Sequence, residues 1–476
     1  MSIYSVDPEY SVSALNSSVP PSVLPSMAQR PVAGVTSSMV SIVSQSSTQS
    51  AGGLLQINVP NQPNTYIKSG SSFLKATVTF TTVGAITAGT YTIKGGNAVS
   101  NWSSLILRAT MSCGPNILEQ INQYSVYDEL LNAHAGSGTY MAGNMVQLYG
   151  QQLITSGTPA SGTTYAITVC IPLNFGLLNS AEEQHFPLGL LNAGLQFQFD
   201  LQADLNQAIG VVVNASGAGL TSVTYAVSNV SFNYEAIKLP PDHFQALRAQ
   251  MMQDGSLYQM PYVSALNMSL GLSSGSSIAV DQTFGLGLSS LKGAFATLKP
   301  TSAYNTMQYG ARASMTQFRI LLDGQMINQY SIPQIPGNLN ADNEFYVDLQ
   351  RALGVLGSVV RTAGLWNQGG ALYSIGSTTA AGVPTGVLNL NANTQATIYN
   401  TLMFWAGLGC NRFCEHGLTY TGTPVSQLQI HAETINSSTG SYAGSTLNIM
   451  YLIFIYDSAL FINAKVMSQL TDKPFS

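Results

Sequence analysis

The pentapeptide Ile121-Asn122-Gln123-Tyr124-Ser125 recurs letter for letter as Ile327-Asn328-Gln329-Tyr330-Ser331, and weaker echoes accompany it in the same order. Tyr127-x-Glu129-Leu130 is echoed by Tyr346-x-Asp348-Leu349, Leu195-Gln196 by Leu428-Gln429, and Phe232-x-Tyr234-Glu235 by Phe454-x-Tyr456-Asp457. One such match is chance. Four in collinear order, with spacing that drifts as unequal loops would make it drift, point to two tandem copies of one fold. Each copy spans roughly two hundred residues, the size of a whole domain and far longer than a solenoid or propeller repeat.

Composition narrows what the duplicated unit can be. Charged residues are 8% of the 476, against about 25% in ordinary soluble proteins. Apolar residues are 45%, which excludes a disordered chain. Solubility then rests on Ser, Thr, Asn, Gln and Gly, and so little charge supplies little repulsion between copies. Burial of much of the surface against other copies explains this most simply, although a secreted Ser/Thr-rich β-protein shares the composition. A net charge of −5 without clusters of Lys and Arg argues against extensive direct nucleic-acid binding. The N-terminus carries Asp7 and Glu9 and no basic residue before Arg30, so no secretory signal is expected. The longest apolar runs, such as residues 451–456, are strand-sized, well short of the roughly 18 residues a spanning helix needs. Cys113, Cys170, Cys410 and Cys414 are too few for a disulfide framework, consistent with synthesis in a reducing cytoplasm.

Residues 1–52, broken by Pro20-Pro21, Pro25 and Pro31, read as an arm. Residues 53–238 form the first β-domain, 239–256 an inter-domain linker helix after Pro240-Pro241, 257–466 the second domain, and 467–476 a C-terminal tail. Strands are expected at 73–80, 104–110, 117–121, 165–170, 195–201 and 223–234, where apolar residues recur with a period near two. Cys113-Gly114-Pro115-Asn116 and Asp323-Gly324 mark equivalent hairpin turns, since both positions of Asp-Gly tolerate φ > 0. Short helices are expected at 126–134, with Ser125 as N-cap, and at 345–353. Many strands, long Gly/Ser turns and few helices indicate antiparallel sandwiches.

No constellation carries catalytic chemistry. Glu182-Glu183-Gln184-His185 is the densest titratable cluster, and a solvated loop or subunit contact is its preferred reading over acid–base work. Cys410, Cys414 and His416, with His431 as a fourth, offer soft metal ligands, but the three-residue gap and the lack of a second Cys/His pair make the pattern weak, and buried or incidental thiols are preferred. Trp102, Trp366 and Trp405 read as core or interface anchors. No nucleophile elbow, phosphate loop, zinc-protease helix or dinucleotide fingerprint is present. Neither a catalytic residue, a cofactor-binding residue nor a metal site is expected.

The segment Ile171-Pro172-Leu173-Asn174-Phe175, followed by Phe186-Pro187-Leu188-Gly189-Leu190-Leu191 and Leu195-Gln196-Phe197-Gln198-Phe199, resembles a specific signature. It is similar to the strand–loop–strand pattern of double jelly-roll major capsid proteins of the tectivirus, adenovirus and large DNA virus lineage. In character it lies closest to those of polinton-like viruses and virophages. The close match covers about thirty residues, and the two-copy layout extends it loosely along the chain. The resemblance implies an all-β chain of two tandem eight-stranded antiparallel jelly rolls, with short helices in loops and at the junction. It implies a non-enzymatic capsid protein of the virion, assembled in the host cytoplasm or nucleus. Three chains would form a pseudo-hexagonal homotrimeric capsomer that tiles an icosahedral shell. Neighbouring capsomers, penton and minor capsid proteins would be its partners, with an internal membrane reached through the N-terminal arm. The alternative is an extracellular β-rich adhesin, S-layer subunit or carbohydrate-active protein, which needs an export route that the N-terminus does not show.

Overall fold

Period-two runs of apolar residues become strands along most of the chain. The computed structural model describes residues 34–83, 91–94, 102–131, 153–157, 162–179, 184–203, 208, 210–213, 223–242, 245–246, 249, 257–271, 277–300, 315–331, 348–349, 351–353, 377–378, 384–385, 405–410, 422–435, 447–463 and 469–471. The first half contains β1 (Thr36–Val43), β2 (Thr48–Ser50), β3 (Leu54–Val59), β4 (Thr65–Ile67), β5 (Phe73–Thr82), β6 (Tyr91–Lys94), β7 (Ile106–Cys113), β8 (Asn116–Asn122), β9 (Leu153–Gly157), β10 (Thr164–Pro172), β11 (Leu195–Leu201), β12 (Gly210–Val213) and β13 (Val223–Lys238). Among the described residues two short α-helices, α1 (Tyr124–Leu130) and α2 (Gly176–Asn179), and two 3-10 turns, Trp102–Leu105 and Leu188–Leu190, interrupt them. The second half contains β14 (Leu257–Gly271), β15 (Ser277–Pro300), β16 (Met315–Leu322), β17 (Gln325–Ser331), β18 (Ser377–Thr378), β19 (Pro384–Thr385), β20 (Ala406–Gly409), β21 (Thr423–Ile435), β22 (Leu447–Asn463) and β23 (Gln469–Thr471).

In the first half one sheet runs β1-β13-β5-β10, with β2 and β4 added along β13, and the other runs β3-β11-β7-β8. All these pairings are antiparallel, and successive long strands switch sheets, which is the jelly-roll arrangement. A small sheet β12-β6-β9 stands apart from the sandwich. The second half repeats the scheme with β14-β22-β15-β20 and β15-β21-β16-β17. Here one long strand serves both sheets. The first part of β15 pairs with β21, and after register shifts between Gly285 and Gly293 its last part pairs with β22 and β20. Bulges of this kind bend a strand from one sheet into the next.

Register shows which residues of the two rolls are equivalent. Leu195 on β11 pairs with Cys113 at the end of β7, and Leu428 on β21 pairs with Leu322 at the end of β16. Phe232 on β13 lies between Ile42 and Leu74, and Phe454 on β22 lies between Leu266 and Ala294. These two echoes therefore occupy matching sites. The pentapeptide does not. Asn116 and Gln325 both follow two-residue turns, so counting along β8 and β17 aligns Ile327 with Leu118, three residues before Ile121. Ile121-Asn122 closes β8 and Gln123 (φ 50) turns the chain into α1, whereas Ile327–Ser331 stays within β17 throughout.

Phe197 of β11 faces Phe232 of β13 across the first sandwich, with ring centroids 4.6 Å apart. Phe175 and Tyr234 extend this aromatic layer, and Trp102 packs on Phe80. Both described tryptophans, Trp102 and Trp405, are core residues, while Trp366 lies outside the described residues. In the second roll Leu428 and Ile430 are buried between exposed Gln427 and half-buried Gln429 neighbours of the strand's wet side, and Phe295 lies at the centre.

Several boundaries differ from the sequence reading. The span assigned to an arm, 1–52, contains β1 and β2, both paired with β13. Only Val40 and Ile42 of β1 turn partly inward, so its Ser- and Thr-rich sequence hides the alternation that marks an interior strand. The span assigned to a tail, 467–476, contains β23, which returns along β22. The first helix starts at Tyr124 with Gln123 at its N-cap, so Ser125 is a helical residue and not the cap. In the span 239–256, residues 241, 242, 245, 246 and 249 are helical.

Candidate functional site

The residues singled out for chemistry are not brought together. Cys410 directly follows β20, and its carbonyl accepts a hydrogen bond from Thr423 Oγ1 at the start of β21 (2.8 Å). His431 lies eight residues further along β21, roughly 26 Å away at ~3.3 Å per residue, and its Nδ1 faces Asp281 at 3.9 Å. No single ion can hold both, which removes that pair from the candidate metal site. Cys414 and His416 lie outside the described residues, as do Glu182 and Glu183. His185 is tied to the backbone, its Nδ1 accepting from the Ser69 amide (3.4 Å). Among the described residues no group of three His, Cys, Asp or Glu side chains could hold a metal ion. Burial pushes the Cys410 thiol up to about 12.

The densest buried polar chemistry lies where the two rolls meet, around Glu119 on β8. A bulge after Met111 turns both Leu118 and Glu119 inward. The Glu119 carboxylate accepts hydrogen bonds from the amides of Gly176 (2.9 Å) and Leu177 (3.1 Å) and from Ser264 Oγ (3.0 Å). Ser264 belongs to β14, the first strand of the second roll, so one side chain ties three segments. Burial pushes the Glu119 carboxyl up to about 7 despite those donors. On the same strands Tyr262 Oη donates to the Leu118 carbonyl (3.3 Å) and Asn267 Nδ2 to the Asn122 carbonyl (2.5 Å).

A second buried acid organises the turn behind it. Asp128 of α1 accepts from Ser103 Oγ (2.5 Å) and from Asn174 Nδ2. The Asn174 amide donates to Tyr124 Oη (2.7 Å), and Tyr124 is held neutral far above its usual range by burial and by the Asp128 charge. The Ile-Pro-Leu-Asn-Phe segment that carried the family resemblance is thus the shelf on which the junction is built. At its end, Gly176 has no room for a side chain, because a Cβ there would stand 1.9 Å from the Val263 carbonyl oxygen. The two backbones touch.

Sequence reading missed Glu119 and Asp128. The signal for Glu119 was incomplete, since a charge stood between Leu118 and Ile121 in an apolar run, but the bulge that turns it inward, away from exposed Ile117, is set by the pairing with β7. For Asp128 there was none, because its partners Ser103 and Asn174 are distant in sequence.

Large apolar side chains are exposed on β1 and beside the turns that begin β8 and β17. Met39 and Val43 on β1 are 62% and 69% exposed, and Ile117 on β8 and Met326 on β17, equivalent by register, are 52% and 51% exposed. On β13 and β22 the equivalent acids each hold a lysine, Glu235 with Lys68 (2.7 Å) and Asp457 with Lys292 (3.3 Å).

No family model and no curated protein matches the sequence. Solved structures do match. A chain of the 3.5 Å cryo-EM structure of the Sputnik virophage superposes with a TM-score of 0.57 at 13% identity, covering 100% of this chain and 94% of that one. The crystal structure of VP54 of the virus PBCV-1, fitted into a reconstruction of Sputnik, gives 0.55 at 10% identity, covering 94% and 99%. A quasi-atomic model of the PBCV-1 capsid gives 0.54 at 11% identity, again covering 94% and 99%. These similarities, over nearly the whole of both chains, establish the fold as a double jelly roll.

Proposed function

We propose that this chain is a structural major capsid protein whose pseudo-hexagonal homotrimers tile an icosahedral viral shell. Fold likeness alone does not assign function; the observation that carries the reading is how the duplicated surfaces are used. Inside one chain, β14 of the second roll packs on β8 of the first. By register, β1 is the counterpart of β14 and β17 the counterpart of β8, with Ser38, Val40 and Val43 at the places of Tyr262, Ser264 and Asn267. Each is an edge strand of its sheet with exposed apolar residues. Docking β1 of one copy on β17 of the next repeats the internal junction between chains. Repetition of one heterologous contact in rotation closes a ring. Three two-roll chains make such a ring six-sided.

In this reading the division of the chain runs arm, first roll, linker helix, second roll, with the first roll beginning at β1. The residues ahead of β1 reach neighbouring capsomers, penton or minor capsid proteins, or an internal membrane. The role is structural and non-catalytic, in the virion.

Native mass and negative-stain imaging test it directly. Particles of three times the chain mass with a hexagonal outline are expected, since a capsomer interface falls in the obligate range of roughly 2,000–5,000 Å². The double variant Met39→Asp with Val43→Asp should shift the mass to the monomer. A wild-type monomer at micromolar concentration would overturn the capsomer reading, and an unshifted trimer in the variant would overturn the β1 contact.

A further inference from the structure

We propose that Glu119 and Ser264 form a proton-operated clasp between the two rolls, which holds most tightly with Glu119 neutral and loosens when it ionises. The clasp lies within one chain, so it stands apart from any reading of the assembly.

The geometry is that of a buried acid without a counter-ion. Among the described residues, every group acting on Glu119 is a hydrogen-bond donor or the apolar surround, and none is a cation. The titratable groups around it are phenols and acids. Tyr124 and Tyr127 of α1 and Tyr456 of β22 all feel its charge, and Tyr262 of β14 is bonded to the adjoining carbonyl. Asp128 of α1 acts on the same two helix phenols, so its charge adds to the negative surround. An ionised Glu119 therefore carries the full cost of a desolvated charge, offset by three donors.

Protonation removes that charge without breaking the clasp. A hydroxyl both donates and accepts. In the ionised state Ser264 Oγ donates to Glu119 Oε1 (3.0 Å). In the neutral state the Glu119 hydroxyl donates along the same line to Ser264 Oγ. The Ser264 hydroxyl then turns to Tyr456, which is paired directly opposite it on β22. The proton arrives from solvent on opening of the junction and returns the same way, so one proton is taken up per closure. The Gly176 and Leu177 amides keep an acceptor in both states.

The direction follows from linkage. The folded carboxyl lies at about 7 against an ordinary 4.5. Its contribution to closure is complete below the ordinary value, fades as pH rises between the two, and is gone above the folded value. The closing equilibrium should fall by up to about tenfold per pH unit across that window.

Hydrogen exchange of the Gly176 and Leu177 amides and of residues 262–267, corrected for intrinsic rates from about pH 5 to about pH 8, reads the clasp. Wild type should lose protection as pH rises and level off near neutrality, while Glu119→Gln should give a flat profile. A wild-type profile as flat as that of Glu119→Gln would overturn the proposal. A measurement on wild type alone guards against a variant that fails to fold. The infrared carbonyl band of a protonated carboxylic acid should persist at about pH 6, where solvent-exposed carboxyls are ionised; its absence would equally overturn the clasp. Native mass recorded on the same samples separates this outcome from the capsomer reading, since a monomer that shows the pH profile keeps the clasp and loses the trimer.

Discussion

Replacing Gly176 by alanine sets a methyl carbon 1.9 Å from the Val263 carbonyl oxygen and 2.8 Å from its carbon. Both obstructing atoms are backbone of β14, so no side chain can rotate out of the way. Bringing the closer contact to 3.0 Å, the shortest that real methyl carbons tolerate, needs a shift of 3.0 − 1.9 = 1.1 Å. A shift of that size away from β8 stretches the Ser264–Glu119 bond from 3.0 Å and the Tyr262–Leu118 bond from 3.3 Å beyond hydrogen-bonding range. Overpacking against a rigid wall costs about 1–3 kcal/mol, and two lost hydrogen bonds cost about 0.5–1.5 kcal/mol each. The expected destabilisation is therefore about 2–6 kcal/mol. At roughly 2–4 °C per kcal/mol for units of this size, the melting midpoint should fall by on the order of 10 °C. Differential scanning calorimetry measures the fall, and hydrogen exchange should locate the loss of protection at residues 262–267. Gly271→Ala is the matched control, because it lies on the same strand with nothing within 4 Å of an added Cβ and no unusual backbone angle. A Gly176→Ala protein that melts within about 2 °C of wild type would refute the argument that the rolls meet backbone to backbone.

Phe197→Ala should cost about 3–5 kcal/mol in urea unfolding, because Phe197 joins the two sheets through Phe232 and Phe175; a cost below about 1 kcal/mol would place it outside the core. The Cys410 thiol, buried and pushed up to about 12, should resist iodoacetamide in the native protein near neutral pH and react once the protein is unfolded. Peptide mass mapping distinguishes the two states, and rapid native labelling would contradict the burial.

Most of the fold was legible because jelly-roll strands carry their own pattern. The run Leu195–Leu201 alternates buried and half-buried residues just as Leu-Gln-Phe-Gln-Phe-Asp-Leu dictates, and the echoes at Leu428 and Phe454 fall on the equivalent strands. The duplication was inferred correctly, yet its longest identity was misaligned. The five residues from Ile121 and from Ile327 take different backbone paths, because the turns at Gly114-Pro115 and Asp323-Gly324, and not local sequence, set the pairing count. What stayed hidden depended on distant partners. The Glu119 site needs Gly176 and Ser264, and β1 becomes a strand only through β13. Gly285 and Gly293 read equally as turns, which concealed that residues 277–300 are a single strand serving two sheets.

Duplicated surfaces need not stay alike, and under the proposed assembly the two edges would differ in the direction their concentrations demand. The β14 edge meets its partner within one chain, where tethering supplies an effective concentration of roughly millimolar. Such a contact tolerates buried polar groups that demand exact placement, and β14 accordingly presents Tyr262, Ser264 and Asn267 to β8. The β1 edge carries Ser38, Val40 and Val43 at those places, and its exposed Met39 and Val43 are apolar. A contact between separate chains must offset lost translational and rotational freedom, and apolar burial does so without strict hydrogen-bond geometry. At two of these places, Val40 for Ser264 and Val43 for Asn267, an apolar residue on β1 replaces a polar one on β14, and this also sorts the partners. A β1 edge seated by mistake on β8 would bring Val40 to Glu119 in place of Ser264, leaving that carboxylate one donor short. In the proposed capsomer, the substitutions that would suit the β1 edge to another copy would thus also keep it out of the inner junction.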